Sequence, residues 1–438
     1  MLINGNMNIK ALYHTFGCKL NFAETASVAR LFEERGVKAA DKCEVPDFIV
    51  INSCSVTAEA DRKCRSFIRS LNRRYPNAPI MVTGCYAQLK AEEVASLPGV
   101  AVVAGTNDKL KLVEYLDDCL AGHASVAEII PAKELTEFMP SCSRGDRTRF
   151  FLKVQDGCDY WCTYCTIPKA RGRSRSGTID QIMALARDAA GRGAKEIVLT
   201  GVNIGDFGHG RSDNFLDLCR ELDTVEGIER YRISSIEPNL LTDGLIDFVA
   251  ASRRFMPHFH IPLQSGNDEV LALMRRRYDT ALYAGKLRRV LGAIPDAFIG
   301  ADLIVGARGE SAERFEASKA FIAGLPLSHI HVFPYSERPD TRALALEGAV
   351  TQEEKHRRAD VMISLGAEKH KEFAGRFIGC VRPVLLERSR PGRPMGGFTD
   401  NYLRVEVDAG PELDNMVRDV RLTGLMDDGE TMTGVLVR

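Results

Sequence analysis

Cys158, Cys162 and Cys165 fall within one short stretch, KVQDGCDYWCTYCTIPKARG (153–172), spaced C-x3-C-x2-C. The thiols come just after the apolar run Phe150–Val154, so three soft donors share one loop after an expected strand. Thiolates in such a loop hold zinc or an iron–sulfur cluster. Zinc prefers C-x2-C pairs and a fourth Cys or His nearby, and no His occurs from 124 to 208. A four-iron cluster has four corners, so three thiolates leave one iron open to an outside ligand. A zinc knuckle and three incidental cysteines are the competing readings.

A second set of thiols shares a different context. Cys18 follows the apolar run Ile9–Phe16 in HTFGCKLN, Cys54 follows Phe48–Ile51 in IVINSCSVT, and Cys85 follows Ile80–Val82 in IMVTGCYAQ. A fourth run spans Val100–Val103, and helical patterns at about 24–35, 59–74 and 90–97 separate the runs. Alternating strands and helices predict a parallel sheet, whose carboxyl edge is where ligands of open α/β folds bind. The three thiols should therefore reach one rim, with Gly17 and Gly84 allowing sharp turns beside a bulky group. Burial as small apolar side chains is the alternative. Cys43, Cys64, Cys119, Cys142, Cys219 and Cys380 lack this context and read as core or surface thiols.

At 438 residues the chain exceeds one core, and two to four domains are expected. Its 45% hydrophobic and 27% charged residues are ordinary globular values. A net charge of −1 excludes a polycation, so any nucleic-acid contact must come from local patches. No apolar run reaches the roughly 18 residues of a membrane helix. The start lacks a charged segment followed by an apolar one, so secretion is not expected. Twelve cysteines in such a chain point to metal or redox use in a reducing cytoplasm. The expected domains are 8–125, a linker over 126–145, then 146–372 and 376–438.

Residues 146–372 alternate again. Strands are expected at Phe150–Val154, Glu196–Thr200, Arg232–Ile236, His258–Leu263, Phe298–Val305 and His331–Pro334, with helices near 178–192, 214–224, 241–253, 268–292 and 311–323. Six β/α units predict a partial, open barrel whose chemistry collects after the strand ends. Gly201, Asn203, Ser235, Glu237, Gln264, Ile304 and Gly306 lie there, although Ser and Asn also serve as helix caps. Tyr160, Trp161 and Tyr164 could stack on a ligand, with packing as the role expected for two of them. The tail reads as short strands at Val381–Leu386, Tyr402–Val407, Val420–Leu422 and Gly434–Val437, a small OB-like barrel. Its Arg382, Arg388, Arg390, Arg393 and Arg404, with KARGRSRS (169–176), RRRY (275–278) and KHRR (355–358), are candidate phosphate contacts.

The order of these parts resembles the radical S-adenosylmethionine (SAM) methylthiotransferases. The wording of GCKLNFAET, NSCSVTAEADRKCR, GCYAQL, GCDYWCTYCTIPKARG, RISSIEPNLL, PHFHIPLQSGNDEVLALMRRRY and HVFPYSERP is similar to their MtaB-type branch. The resemblance implies an N-terminal open parallel α/β domain, a central partial (β/α)6 radical-SAM barrel and a C-terminal TRAM-type barrel. It implies two [4Fe–4S] clusters, one on Cys158, Cys162 and Cys165 that also binds SAM, and an auxiliary one on Cys18, Cys54 and Cys85 that supplies sulfur. It implies SAM contacts from Tyr164, Gly201, Asn203, Ser235, Glu237, Gln264, Ile304 and Gly306. Relatives usually carry a G-F-P-G-E-like turn where this chain has GARGE, so Ala307 and Arg308 depart from the pattern. The implied substrate is N6-threonylcarbamoyladenosine at position 37 of tRNA, methylthiolated at C2, with an external electron donor. Isopentenyl-adenosine tRNA and ribosomal protein S12 are alternative substrates, and an iron–sulfur RNA-binding regulator is the non-enzymatic alternative.

Overall fold

The computed structural model describes residues 9–41, 43–123, 125–126, 129–143, 148–389 and 392–437. Residues 8, 42, 124, 127–128, 144–147, 390–391 and 438 of the expected domain and linker ranges, Arg390 among them, lie outside them. The chain forms two compact units. One takes the chain up to residue 144 together with 151–159 and 165–177; the other takes 145–150, 160–164 and everything from 178 onward.

The first unit is built on a parallel sheet. Its strands are β1 (Lys10–Thr15), β2 (Lys38–Ala39), β3 (Phe48–Ser53), β4 (Ile80–Gly84), β5 (Val100–Val103) and β6 (Ser125–Val126), in the order β2-β1-β3-β4-β5-β6. Its neighbouring strands pair in parallel. β3 is buried along its whole length. Phe48 and Val50 enter one core with Val28, Phe32, Met81 and Val102, while Ile49 and Ile51 enter another with Ile68, Ile80 and Val82. Side chains alternate between the two faces, and a strand covered on both reads as a continuous apolar run. Helix α1 (Lys19–Glu34) follows β1, α2 (Ala58–Arg74) follows β3, and the short α3 (Cys85–Leu89) follows β4. Thr57 caps α2 by accepting from Ala60 N at 3.1 Å. The two-residue edge strands β2 and β6 are too short to show a period in the sequence.

In the second unit, Glu196–Thr200 pairs in parallel with Arg230–Ile233. His258–His260, Phe298–Val305 and His329–Pro334 form a second parallel set. Parallel bridges Tyr231↔Phe255 and Ser235↔His260 join the two sets. Helices lie between the strands, giving the open β/α barrel. One expected helix is in fact two. Asp268–Leu273 ends before Arg275, which adopts φ +58°, and Asp279 starts Thr280–Ala293 by accepting from Leu282 N at 2.7 Å. A left-handed arginine cannot continue a helix.

The tail closes into a five-stranded barrel, where four strands were expected. Its order is Val381–Leu386, Met395–Thr399, Arg404–Val407, Thr431–Leu436, Val417–Leu425. The missed strand is the Gly-rich Met395–Thr399, which reads as a turn. Gly397 is required there, since a Cβ would lie 2.6 Å from Leu385 O. Phe298, Phe373 and Phe377 complete the barrel's apolar core.

Two buried arginines fasten this barrel to the strand that carries them. Arg230 donates to Phe398 O (2.9 Å) and Pro383 O (2.8 Å), and Arg232 to Asp400 O (2.8 Å), Thr399 O (2.7 Å) and Glu196 Oε1 (2.9 Å). Arg232→Met would leave the Glu196 carboxylate buried with a weakened partner set, a loss of about 3–5 kcal/mol. The expected outcome is a lower urea midpoint and faster protease cleavage near residues 376–381. An unchanged midpoint and digest would show that the barrel is held by its apolar contacts alone.

Candidate functional site

Three thiols arrive at the carboxyl edge of the first unit's sheet as expected. Cys18 is the exposed N-cap residue of α1, Cys54 is the buried residue after β3, and Cys85 opens α3 after β4. Burial pushes the Cys54 thiol up to about 12, and Cys85 and Cys18 add to the rise, so the three sulfurs share one electrostatic neighbourhood. A thiol raised in this way, as Cys54 is, stays protonated until a metal replaces the proton. Gly17 holds φ +95°, and a Cβ on it would lie 2.8 Å from Cys54 Cβ and 2.9 Å from its Sγ. This is a cradle that any larger residue would fill, beside soft donors of the kind iron–sulfur clusters take. Among the described residues, no three His, Cys, Asp or Glu side chains close on one point as around a single ion. A four-iron cluster takes each thiolate on a separate iron, so its ligands need not converge that tightly. Gly17→Ala is expected to cost the protein the iron of this site while the far-ultraviolet circular dichroism is kept. Full iron content in that variant would exclude the cradle.

The segments carrying Cys158 and Cys165 belong to the same unit. Cys158 N donates to Gly172 O at 3.1 Å, and Gly157, at φ +68°, crosses Arg173 so closely that a Cβ would lie 1.9 Å from its carbonyl oxygen. Cys165 Sγ accepts from Ile167 N at 3.4 Å and starts the short helix Ile167–Arg171, which packs on α3. Thr166 Oγ1 lies 3.5 Å from Ser55 O. The residue after Cys165 thus meets the residue after Cys54, and the helix that follows meets the one that Cys85 begins.

Beneath them is a buried ion network that sequence reasoning missed. Arg171 spans Glu24 Oε1 (3.0 Å), Asp156 Oδ1 (3.0 Å) and Asn21 Oδ1 (2.6 Å). Lys153 bridges Glu24 (2.8 Å) and Asp156 (2.7 Å), and Lys109 pairs with Glu24. Burial opposes ionisation of both carboxyls, yet the cations hold each well below the usual carboxylate range. Burial pulls Lys109 down, against the pull of Glu24. Arg171 is therefore not a phosphate contact. Arg175, bound to Glu137 O (2.7 Å) and Arg171 O (2.5 Å), is likewise engaged.

Cys162 stands in the second unit, with the candidate SAM positions. Burial raises its thiol, and Arg276 opposes the rise by donating to Sγ at 3.1 Å. Arg276 also pairs with Glu237 and reaches Tyr164 Oη at 3.4 Å and Tyr278 Oη at 3.1 Å. The helix break at Arg275 places it there, so Arg276 of RRRY is not a phosphate contact, whereas Arg275 and Arg277 are exposed. Tyr164 and Ile304 pack against one small cluster that includes Val270, Met274, Ala307 and Tyr335. Gly201 follows the strand Glu196–Thr200, and Asn203 is buried beside Tyr160, whose hydroxyl also accepts from Asn239 at 2.7 Å. Ser235 bridges His260, and Gln264, at φ +67°, bridges Leu303. Gly306, at φ +73°, sits where a Cβ would lie 2.3 Å from Lys355 Cγ. Cys162, Tyr164 and Glu237 therefore share Arg276, and Tyr164, Ile304 and Ala307 share an apolar patch. Gly201, Ser235 and Gln264 are placed by their strand ends. Arg308, the departure in GARGE, is bound to Glu337 (2.7 Å) and Leu346 O (3.0 Å). Trp161 alone of the loop aromatics is exposed, at 43%.

KHRR is also partly structural, since Lys355 is buried and Arg358 pairs with Glu310 at 2.8 Å. In the tail, Arg382 is bound to Asp296 and Asp400, while Arg388, Arg393 and Arg404 are exposed.

Two family models match the chain: "Uncharacterized protein family UPF0004" over residues 10–105 and "Radical SAM superfamily" over 152–322. A solved structure of the radical S-adenosylmethionine methyltransferase TsrM from Kitasatospora setae shares the fold, with a TM-score of 0.58 over 74% of this chain and 72% of that one, at 13% identity. Threonylcarbamoyladenosine tRNA methylthiotransferase MtaB of Bacillus subtilis is 39% identical over 403 residues, 90% of this chain and 89% of the relative. A tRNA-2-methylthio-N(6)-dimethylallyladenosine synthase of Sphingopyxis alaskensis is 34% identical over 391 residues, 87% and 88% of the two chains. Thiols delivered to a parallel-sheet rim, an open β/α barrel and similarity of this extent agree: the chain belongs to the radical SAM methylthiotransferase family, in its MtaB-type branch.

Proposed function

We infer that this protein is a tRNA methylthiotransferase that exchanges the C2 hydrogen of N6-threonylcarbamoyladenosine at position 37 for a methylthio group. The observation that supports this reading best is the meeting of two thiol-bearing regions on the first unit's rim, through Thr166 and Ser55 and through the helix Ile167–Arg171 and α3. We assign Cys158, Cys162 and Cys165 to the SAM-binding cluster, and Cys18, Cys54 and Cys85 to the auxiliary cluster. When bound, SAM and the [4Fe–4S] clusters supply a carbon radical and sulfur, which a C–H bond neither acidic nor electrophilic requires.

The chain's own residues bind and orient. Arg276 holds Glu237 against the Cys162 loop, Tyr164 and Ile304 offer an apolar wall for adenine, and Asn203, Ser235 and Gln264 offer polar groups at the strand ends. The target base must leave its stack to reach such a site, as enzymes acting on bases require. The exposed arginines of the tail barrel suit a phosphate backbone. The functional segments are 8–125, the linker 126–145, 146–372 and 376–438. Among the described residues no helix is long and apolar enough to cross a membrane; we place the reaction in the cytoplasm, with an external one-electron donor.

The test is anaerobic. Reconstituted protein, SAM, reductant and tRNA carrying threonylcarbamoyladenosine are combined, and the nucleosides are digested and weighed by mass spectrometry. A methylthio-shifted threonylcarbamoyladenosine is expected. Deoxyadenosine without that product would redirect the search to isopentenyl-adenosine tRNA, which the dimethylallyladenosine relative makes the next candidate, or to ribosomal protein S12.

A further inference from the structure

The ion network beside the auxiliary thiols does not balance. Its fully buried members are two carboxylates, Glu24 and Asp156, and three cations, Lys109, Lys153 and Arg171, each no more than 2% exposed. Lys153 and Arg171 each touch both carboxylates, whereas Lys109 touches Glu24 alone. Asp108, the residue before Lys109, pairs with Lys111 at 3.1 Å, and Asp61 accepts from Ser55 Oγ at 2.7 Å. One buried positive charge is left over, and an uncompensated buried charge is costly.

The surplus lies beside the cysteine rim. Lys109 and Arg171 meet on Glu24, which stands with Asn21 on α1, the helix that Cys18 begins. Asn21, which accepts from Arg171, also donates to Phe16 O (2.8 Å) and Ser53 O (3.2 Å), the carbonyls just before the Gly17–Cys18 turn and Cys54. The network is thereby fixed to two of the three thiol positions. Three thiolates on a four-iron core are net anionic, which is the charge the network lacks.

We propose that Lys109 is an electrostatic positioning residue for the auxiliary cluster: the surplus buried cation it carries raises that cluster's reduction potential. This rests on Cys18, Cys54 and Cys85 being its ligands. A one-electron reduction adds negative charge to the cluster, so a fixed cation nearby favours the reduced form and a removed cation disfavours it.

The test uses the full-length Cys162→Ala protein, so that the remaining cluster is the one titrated. Iron is counted, and the midpoint potential is read by an electron paramagnetic resonance redox titration. Lys109→Met is expected to lower the reduction equilibrium at least tenfold, which is about 59 mV negative for one electron. Lys109→Arg should restore it, and Glu24→Gln, which enlarges the surplus, should move it positive. A merely structural role would not give opposite signs for Lys109→Met and Glu24→Gln. Equal or absent shifts at full iron content overturn the proposal. If Lys109→Met fails to fold, a null or negative shift in Glu24→Gln overturns it alone. A Cys162→Ala protein without iron overturns the ligand assignment itself.

Discussion

Cys162→Ala is expected to abolish formation of 5′-deoxyadenosine from SAM, while Cys54→Ala keeps it and stops only the transfer of sulfur to tRNA. The two thiols are both buried, but their surroundings differ. Cys162 accepts from Arg276, which also holds Glu237 and reaches Tyr164, so its loss opens the set of residues assigned to SAM. Cys54 lies against Gly17 and feels Cys85 and Cys18. Its loss removes one ligand of the sulfur-supplying cluster and leaves the Cys162 surroundings intact. Anaerobic assays that quantify deoxyadenosine and methylthio-nucleoside in the same reaction separate the two effects. Background levels of both products in both variants would mean that the two thiol sets act as one unit. Deoxyadenosine at the wild-type rate in Cys162→Ala would remove that residue from the radical step.

Arg171→Met is expected to be the most destabilising single change in the first unit, by about 3–5 kcal/mol. It removes the guanidinium that both buried carboxylates share, and the methionine offers nothing to Asn21 Oδ1. The effect has a pH signature. Glu24 and Asp156 have folded-state pKa values below their unfolded ones, so their contribution is present above the ordinary carboxylate range and is lost as pH falls through the depressed values. Wild-type protein should therefore keep most of its stability at about pH 4, near the ordinary carboxylate value. In Arg171→Met both carboxyls titrate higher, and acid unfolding begins at higher pH. Urea midpoints at neutral pH and at about pH 4 check this. A variant whose midpoint falls by the same amount at every pH would place the loss in packing rather than charge.

The parts that could be read from the chain were those set by local order. Cys18, Cys54 and Cys85 each follow an apolar run, and a parallel sheet sends residues in that position to one edge whatever the details of packing. The strands of the open β/α barrel were legible for the same reason. The arginines were not. Arg171 and Arg276 sit in runs of positive charge that read as solvent-facing, and each is buried because carboxylates distant in sequence, Glu24 and Asp156 for one and Glu237 for the other, come to meet it. A charge pattern along the chain carries no record of such partners. The break at Arg275 was hidden because arginine is a good helix former, and only its positive φ reveals the turn. The Met395–Thr399 strand was hidden by two glycines, of which the barrel needs Gly397 for close approach.

The network around Arg171 also dictates when the N-terminal sheet can be completed during synthesis. Lys153, Asp156 and Arg171 enter the chain long after Glu24 and Lys109, yet all five are buried in one body. A nascent chain that has just released β6 from the ribosome holds a carboxylate and an ammonium in its interior, with their other partners still unmade. The sheet must then stay open, or keep that face wet, until the helix Ile167–Arg171 emerges and closes it. Residues 151–159 and 165–177 are therefore the last pieces of the first unit, and a gene split before them would yield an N-terminal fragment in which Glu24 and Lys109 lack Lys153, Asp156 and Arg171.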